Sequence, residues 1–267
     1  MIKIENLSVV FSPNTPDENA ALKNINLNAG RGEFITIIGS NGAGKSTLYN
    51  AIAGTYPPAG GTIYLRDNGN WQDITREPEY RRARRIGRIF QNPVLGTAGN
   101  MSVEDNMLIC RKKGYKSLRI SLNRKLREEF RERLRELDMG LESRMTDNVG
   151  LLSGGQRQAL ALLMTVMSRP ALLLLDEHTA ALDPRNAGIV MELTLRFAAQ
   201  YGLTVMMITH NMTHAIRYGN RLLMMDSGEI ILDMDNAQKE KLTASDIVER
   251  FRAIKRRELA NDEMLLS

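Results

Sequence analysis

Nine consecutive residues, Gly39-Ser40-Asn41-Gly42-Ala43-Gly44-Lys45-Ser46-Thr47, constrain this chain more than any other stretch, because they match G-x-x-x-x-G-K-[ST] in a setting that gives the pattern meaning. The apolar run Phe34 to Ile38 before them reads as a buried strand, and Leu48 to Ala53 after them as a helix. Strand, glycine-rich turn and helix follow in the order that aims backbone N–H groups and a helix N-terminus at phosphate oxygens. The glycines let the backbone turn inward. Lys45 is placed to neutralise the β- and γ-phosphate oxygens of a nucleotide, and the Ser46 hydroxyl to reach Mg²⁺.

A second acidic element completes the chemistry. Leu172-Leu173-Leu174-Leu175 is a continuous apolar run of the kind found in central parallel strands, and it ends in Asp176-Glu177. An acidic residue at such a strand end can hold Mg²⁺ beside a γ-phosphate, a role for Asp176. Glu177, the first residue beyond the strand, is placed to polarise an attacking water as general base. The bland alternative for this pair is a helix-capping turn.

The remaining chain reads as alternating strands and helices. Residues 2 to 38 are strand-like with a polar break at Ser12 to Asn19, and Thr62 to Leu65 forms another strand after the turn at Pro57 to Gly61. Ile86 to Phe90 is a strand halted at Gln91-Asn92-Pro93. Ser102 and Asp105 signal a helix start of the capping-box kind, carrying Val103 to Cys110. From Ser121 to Leu137, Leu122, Leu126, Phe130, Leu134 and Leu137 recur at helical spacing, with i,i+4 ion pairs expected on the charged faces and an end at Gly140. A helix opens near Gly154 and runs to Met167. Asp183-Pro184 caps and begins another, which Gly202 ends. Thr204 to Thr209 and Leu222 to Asp226 are buried strands, Ser227-Gly228 turns into Glu229 to Leu232, and Thr243 to Lys255 is a last helix.

At 267 residues, with 43% hydrophobic and 25% charged residues, the chain can bury a substantial core, and no apolar run is long enough to span a bilayer. The opening residues lack the apolar segment of a secretory signal, and the one cysteine, Cys110, suits a reducing compartment, so a cytoplasmic protein is expected. A net charge of +5 allows nucleic acid, anionic lipid or nucleotide as partner and does not choose among them. The arginines at 81, 82, 84, 85 and 88 read as a solvated face, with lipid phosphates or a partner as the competing use. Few aromatic residues interleave with the basic ones, so no nucleic-acid site is expected.

Between the phosphate loop and Asp176 lies Leu152-Ser153-Gly154-Gly155-Gln156, and with it the chain resembles an ATPase subunit of the ATP-binding cassette family over nearly its whole length. Phosphate loop, Gln91, Leu-Ser-Gly-Gly-Gln, Asp176-Glu177, Ala181-Leu182-Asp183 and His210 occur in the family's order. The resemblance implies an α/β fold: a P-loop NTPase core with a mainly parallel sheet, an antiparallel β subdomain and a small helical lobe. Residues 1–267 would form one such domain, with a helical subdomain at 92–152 and a C-terminal helical extension at 233–267.

It also implies roles. ATP and Mg²⁺ are the implied cofactors, the metal held by Ser46, Gln91 and Asp176. Glu177, His210 and Gln91 would be catalytic: Gln91 touches Mg²⁺ and the water, and His210 contacts the γ-phosphate and orients the carboxylate. Two copies would associate head to tail, so that Ser153, Gly154, Gly155 and Gln156 of one close on the ATP held by Gly39 to Thr47 of the other, and Asp183 meets the opposite phosphate loop. Phe11 stands where the family stacks an aromatic residue on adenine, with a plain core Phe as the competing reading. His214, four residues after His210, is not expected to bind metal.

His178 replaces the family's usual proline after Asp176-Glu177. That stretch, with Phe90 to Ala98, the helix from Gln156 to Met164 and Thr209 to Met212, is similar to a bacterial subgroup of importer ATPases that accompany tryptophan/tyrosine-type substrate-binding proteins. The implied partners are separate permease subunits on the inner face of the cell membrane, docked around Asn92 to Met107, and an extracytoplasmic binding protein. An exporter or lipid-extraction ATPase shares the same chemistry, and a soluble non-transport ATPase is the third alternative.

Overall fold

A computed structural model describes residues 1–67, 69–111, 122–243 and 245–252. The chain opens with β1 (Ile2–Phe11) and β2 (Asn19–Ala29), then β3 (Phe34–Gly39) and α1 (Lys45–Ala53). β4 (Gly60–Asp67), β5 (Asn70–Asp73), α2 (Glu79–Arg82) and β6 (Ile86–Ile89) follow. α3 (Val103–Arg111), α4 (Arg124–Arg135) and α5 (Gly154–Met167) lead into β7 (Leu172–Asp176), α6 (Pro184–Tyr201) and β8 (Thr204–Ile208). The last elements are α7 (Met212–Arg217), β9 (Arg221–Asp226), β10 (Glu229–Asp235) and α8 (Asn236–Lys239), with residues 245–252 again helical.

Two sheets divide the strands. The larger has the order β10-β9-β3-β8-β7-β6, parallel from β9 to β6, with β10 antiparallel at one edge. The smaller is antiparallel, in the order β2-β1-β4-β5. β3, β7 and β8 are buried along almost their whole length, which is why they read as unbroken apolar runs: helices and the second sheet cover both faces. All five parallel strands end on one side, so the segments after β3, β6, β7 and β8 gather along a single edge of the sheet.

The apolar residues form three clusters. One joins Val103 and Met107 of α3, Phe130 and Leu134 of α4 and Leu160 and Leu163 of α5 to one face of the large sheet. The second lies between the two sheets around Tyr49 and Ile52 of α1, and the third seats Ile247 on β9 and β10.

Several expectations change in detail. α4 ends at Arg135 rather than at Gly140, because Asp138 already leaves the helix with φ 52°. Three of its ion pairs are spaced by three, Glu128 with Arg131 at 2.6 Å, Glu132 with Arg135 at 2.7 Å and Arg133 with Glu136 at 2.8 Å, while Arg127 and Glu129 pair with Glu104 and Arg111 of α3. Position 121, the expected start of that helix, and 253–255, the expected end of the last, lie outside the described residues. β10 continues to Asp235, so residues 233–235 are strand rather than part of a helical extension, and the Asp235 side chain caps α8.

The basic cluster does not form one solvated face. Arg81 and Arg84 are exposed, but Arg82 is buried, and its guanidinium donates to the carbonyls of Ala51 and Ile52 at the end of α1 and to those of Thr75 and Glu77. Arg85 pairs with Glu77, and Arg88 turns toward Asp176.

Candidate functional site

The turn after β3 needs glycine for two different reasons. A Cβ on Gly39 would stand 2.2 Å from the Met225 carbonyl oxygen of β9, and one on Gly44, at φ 93°, would stand 2.7 Å from the Ala21 carbonyl oxygen of β2. The loop is thus pressed between the two sheets. No side chain caps the N-terminus of α1 and no acidic residue occupies its first turn, so its leading N–H donors and the positive end of the helix face outward. Lys45 folds back over the loop, its Nζ donating to the carbonyls of Gly39 at 2.9 Å and Ser40 at 2.8 Å. Burial lowers its pKa below the ordinary lysine value, against the opposing pull of Glu177 and Asp176. Ser40 Oγ donates to Asp226 at 3.0 Å, tying the loop to the end of β9.

A cleft of about 500 Å³ opens above this loop. Asn41, Gly42, Ala43, Gly44, Lys45, Ser46 and Thr47 line it, together with Glu177, His210 and Phe11. The donor set fits a nucleotide polyphosphate: a helix N-terminus and an ammonium without acidic residues in the helix's first turn, under an aromatic rim.

Glu177 is held at φ 48°, a conformation that costs a non-glycine residue free energy and marks a position fixed by its surroundings. Its N–H donates to the Ile208 carbonyl, and its own carbonyl accepts from Ala180. The resulting direction brings its carboxylate to 2.5 Å from His210 Nε2. His210 follows β8, on the segment that Asn211 ends by capping α7. Asp176 lies one residue back, half-buried; burial raises its pKa above the ordinary aspartate value, Arg88 opposes that shift and the neighbouring Glu177 adds to it.

Gln91 is exposed two residues past β6, whose last residue Ile89 pairs with Leu175 of β7, and it does not line the cleft. The Leu-Ser-Gly-Gly-Gln residues also stay outside it. Ser153 Oγ accepts from the Gln156 N–H at 3.2 Å and Gln156 Oε1 accepts from the Ser153 N–H at 3.1 Å, a complete capping box at the head of α5. Gly155 is a glycine because α6 leaves no room: a Cβ there would lie 2.6 Å from Asn186. Asn186 in turn donates to Asp183, whose side chain caps α6, and these bonds hold the Asp183 pKa below its usual range. Phe11 packs edge-on against Tyr56 at 5.2 Å while still lining the cleft, so it carries both a packing contact and an open face. His214 packs against Tyr218 with ring centroids 5.2 Å apart and tilted by 57°.

Sequence reasoning missed part of the cleft wall. Asn19, Ala20, Ala21 and Lys23 from the start of β2, and Ser227 and Gly228 from the β9–β10 turn, line it as well. They carry no motif, since only the packing of the antiparallel sheet beside the loop brings them there. Gln158 was also missed. Fully buried in α5, its Nε2 donates to the Phe90 carbonyl at 3.0 Å and the His178 carbonyl at 2.7 Å, fixing the backbone just before Gln91 and just after Glu177.

A family profile described as ABC transporter matches residues 22–180. A tyrosine transport ATP-binding protein of Clostridioides difficile is 40% identical, covering 94% of this chain and 98% of that protein. A phosphate-import ATP-binding protein of Mycolicibacterium smegmatis is 35% identical, covering 81% of each. Among solved structures, an ATP-binding cassette in a dimeric post-hydrolysis state bound to ADP and Pi matches with a TM-score of 0.71 at 27% identity, over 88% of this chain and 99% of that one. On a family match over residues 22–180 and relatives aligned along nearly all of its length, the chain belongs to the ABC transporter family as an ATP-binding subunit, an ATPase coupled to transport.

Proposed function

We propose that this subunit drives a membrane importer for amino acids or similar small solutes by closing, on ATP, into a head-to-tail dimer with a second copy of itself. The observation that carries the dimer is the separation of the site into two parts: Gly42 to Thr47, Glu177 and His210 share a cleft, while Ser153 to Gln156 present a capped helix N-terminus elsewhere on the same chain. A second copy can supply that wall. The 40% identity to a tyrosine transport ATP-binding protein supports the substrate class, and the relative named for phosphate import supports the direction.

In this reading Phe11 stacks on the adenine, Gly39 to Thr47 wrap the phosphates and Lys45 neutralises them. Ser46, Asp176 and Gln91 would hold Mg²⁺, which would supply positive charge against the phosphates. Glu177 takes a proton from the attacking water, and His210, 2.5 Å from its carboxylate, fixes that carboxylate's direction. Ser153 and Gly155 close on the γ-phosphate from the partner copy, with Asp183 at the opposite loop. Separate permease subunits dock around Asn92 to Met107, where Val94, Leu95 and Met101 are exposed, and hold the subunit at the inner face of the membrane. No helix among the described residues is long and apolar enough to cross a membrane.

Glu177→Gln tests the core of this. The variant should bind ATP, run as a dimer on sizing in its presence and lose turnover; hydrolysis at the wild-type rate refutes the assignment of the base. Co-purification with a multispanning membrane protein is the expected companion result, and hydrolysis stimulated by nucleic acid without a membrane partner would refute the transport role.

A further inference from the structure

Arg88 is the arginine of its cluster that faces Asp176. It lies on β6 with its side chain largely buried, 16% exposed, and three neighbours fix it. One guanidinium nitrogen donates to Asn50 Oδ1 of α1 at 2.7 Å. The guanidinium centre sits 4.6 Å from the Phe90 ring centroid, a cation–π distance. The other terminal nitrogen faces Asp176 Oδ2 at 3.6 Å, beyond hydrogen-bond length, with Asp176 itself only 18% exposed. Asn50 and Phe90 thus hold a permanent charge beside the carboxylate without bonding it tightly.

We propose that Arg88 is the resident counter-ion of Asp176, a positioning residue that compensates this half-buried carboxylate before Mg²⁺ arrives and so sets how much Mg²⁺ the protein needs to hold nucleotide. The inference rests on the reading of Asp176 as the carboxylate that holds the metal. Two cations then compete for one carboxylate. Mg²⁺ entering beside Asp176 is repelled by the guanidinium and must weaken the existing pair; without Arg88 the carboxylate waits uncompensated and takes the metal more readily. The 3.6 Å geometry favours this exchange, because no short hydrogen bond has to break.

The test uses the full chain and reads binding rather than turnover. With a fluorescent ATP analogue at fixed concentration, the Mg²⁺ concentration giving half-maximal retention should fall roughly five- to tenfold in Arg88→Met. Arg88→Lys, which keeps the charge but not the planar group held by Asn50 and Phe90, should shift the midpoint by less than half as much as Arg88→Met. Thermal unfolding of Arg88→Met should fall below wild type without Mg²⁺, and the gap should shrink when Mg²⁺ and ATP are present. A merely structural arginine would leave the Mg²⁺ midpoint unchanged and the thermal deficit equal in both conditions, and that result overturns the proposal. Should Arg88→Met fail to fold, Asn50→Ala frees the guanidinium from its tether and should shift the midpoint measurably; no shift there counts equally against it. Asp176→Asn separates the two layers: if it retains the wild-type Mg²⁺ midpoint, the reading of Asp176 fails, whereas if it loses Mg²⁺ dependence while Arg88→Met stays at wild type, only the role of Arg88 fails.

Discussion

Replacing Gln158 by its acidic isostere should be one of the most damaging single-atom exchanges in this protein, and its cost can be worked from two hydrogen bonds. The side-chain amide donates to two carbonyl oxygens, of Phe90 and His178, at 3.0 and 2.7 Å in a fully buried position. In Gln158→Glu the donating nitrogen becomes an oxygen. An ionised carboxylate would face two carbonyls in a dry interior, so the introduced group folds protonated, which gives one O–H donor and leaves the second carbonyl unpaired. Holding a carboxyl protonated at pH 7.5 against a reference pKa near 4.3 costs about 1.4 kcal/mol per pH unit, about 4 kcal/mol, and the lost hydrogen bond adds about 1. The sign follows from linkage: a carboxyl whose folded pKa is raised contributes its full stability below its unfolded pKa and loses it as pH rises. At pH 5 the same substitution should therefore cost only about 2 kcal/mol. Gln158→Leu should cost about 1–2 kcal/mol at both values, since it removes the two bonds together with a buried side-chain oxygen that has no partner. Guanidinium unfolding midpoints of wild type and both variants at pH 5.0 and 7.5 measure all of this. An equal loss for Gln158→Glu at the two pH values would refute the bonding scheme.

Other perturbations probe separate links. The buried His178 ring meets Thr194 Oγ1 at 3.0 Å, and burial lowers its pKa from 6.5 to about 4, so the stability it contributes above pH 6.5 is lost as pH falls toward 4; His178→Leu should flatten that acid-side slope in thermal unfolding followed against pH. Phe11→Ala should weaken nucleotide binding by about 1–2 kcal/mol and Phe11→Trp should preserve it, read by ATP dissociation constants. Gly39→Ala should yield no stably folded protein, since its Cβ would lie 2.2 Å from a backbone oxygen at φ 155°; a soluble variant with wild-type melting would contradict the packing of the loop against β9.

How much of this was legible in the sequence depends on how local each cause is. The phosphate loop, the Asp183-Pro184 start of α6, its Gly202 end and the Ser102–Asp105 cap were readable because each is settled within a few residues. β5 was not. All four of its residues are exposed and none alternates, so only its backbone pairing with β4 makes it a strand. The arginines at 82, 85 and 88 look alike in sequence, yet one binds carbonyls thirty residues upstream, one an acid eight residues back and one an acid at the end of another strand. Polar residues carry no periodic signature when their partners are distant. The site followed the same rule: Glu177 could be placed from the end of an apolar run and His210 from the family resemblance, whereas Gln158 and the β2 wall emerge only after the chain has folded.

Arg82 has one more consequence. By closing the carbonyl end of α1 and binding Thr75 and Glu77 at the same time, a single guanidinium welds the phosphate-loop helix to a segment that the chain reaches only after crossing two more strands. Neither piece can fray alone without stranding a buried charge. Amides near the end of that helix and in the 75–82 segment should thus open to solvent exchange as one unit, with a common opening free energy. The phosphate-loop end of the helix is therefore anchored from its far side.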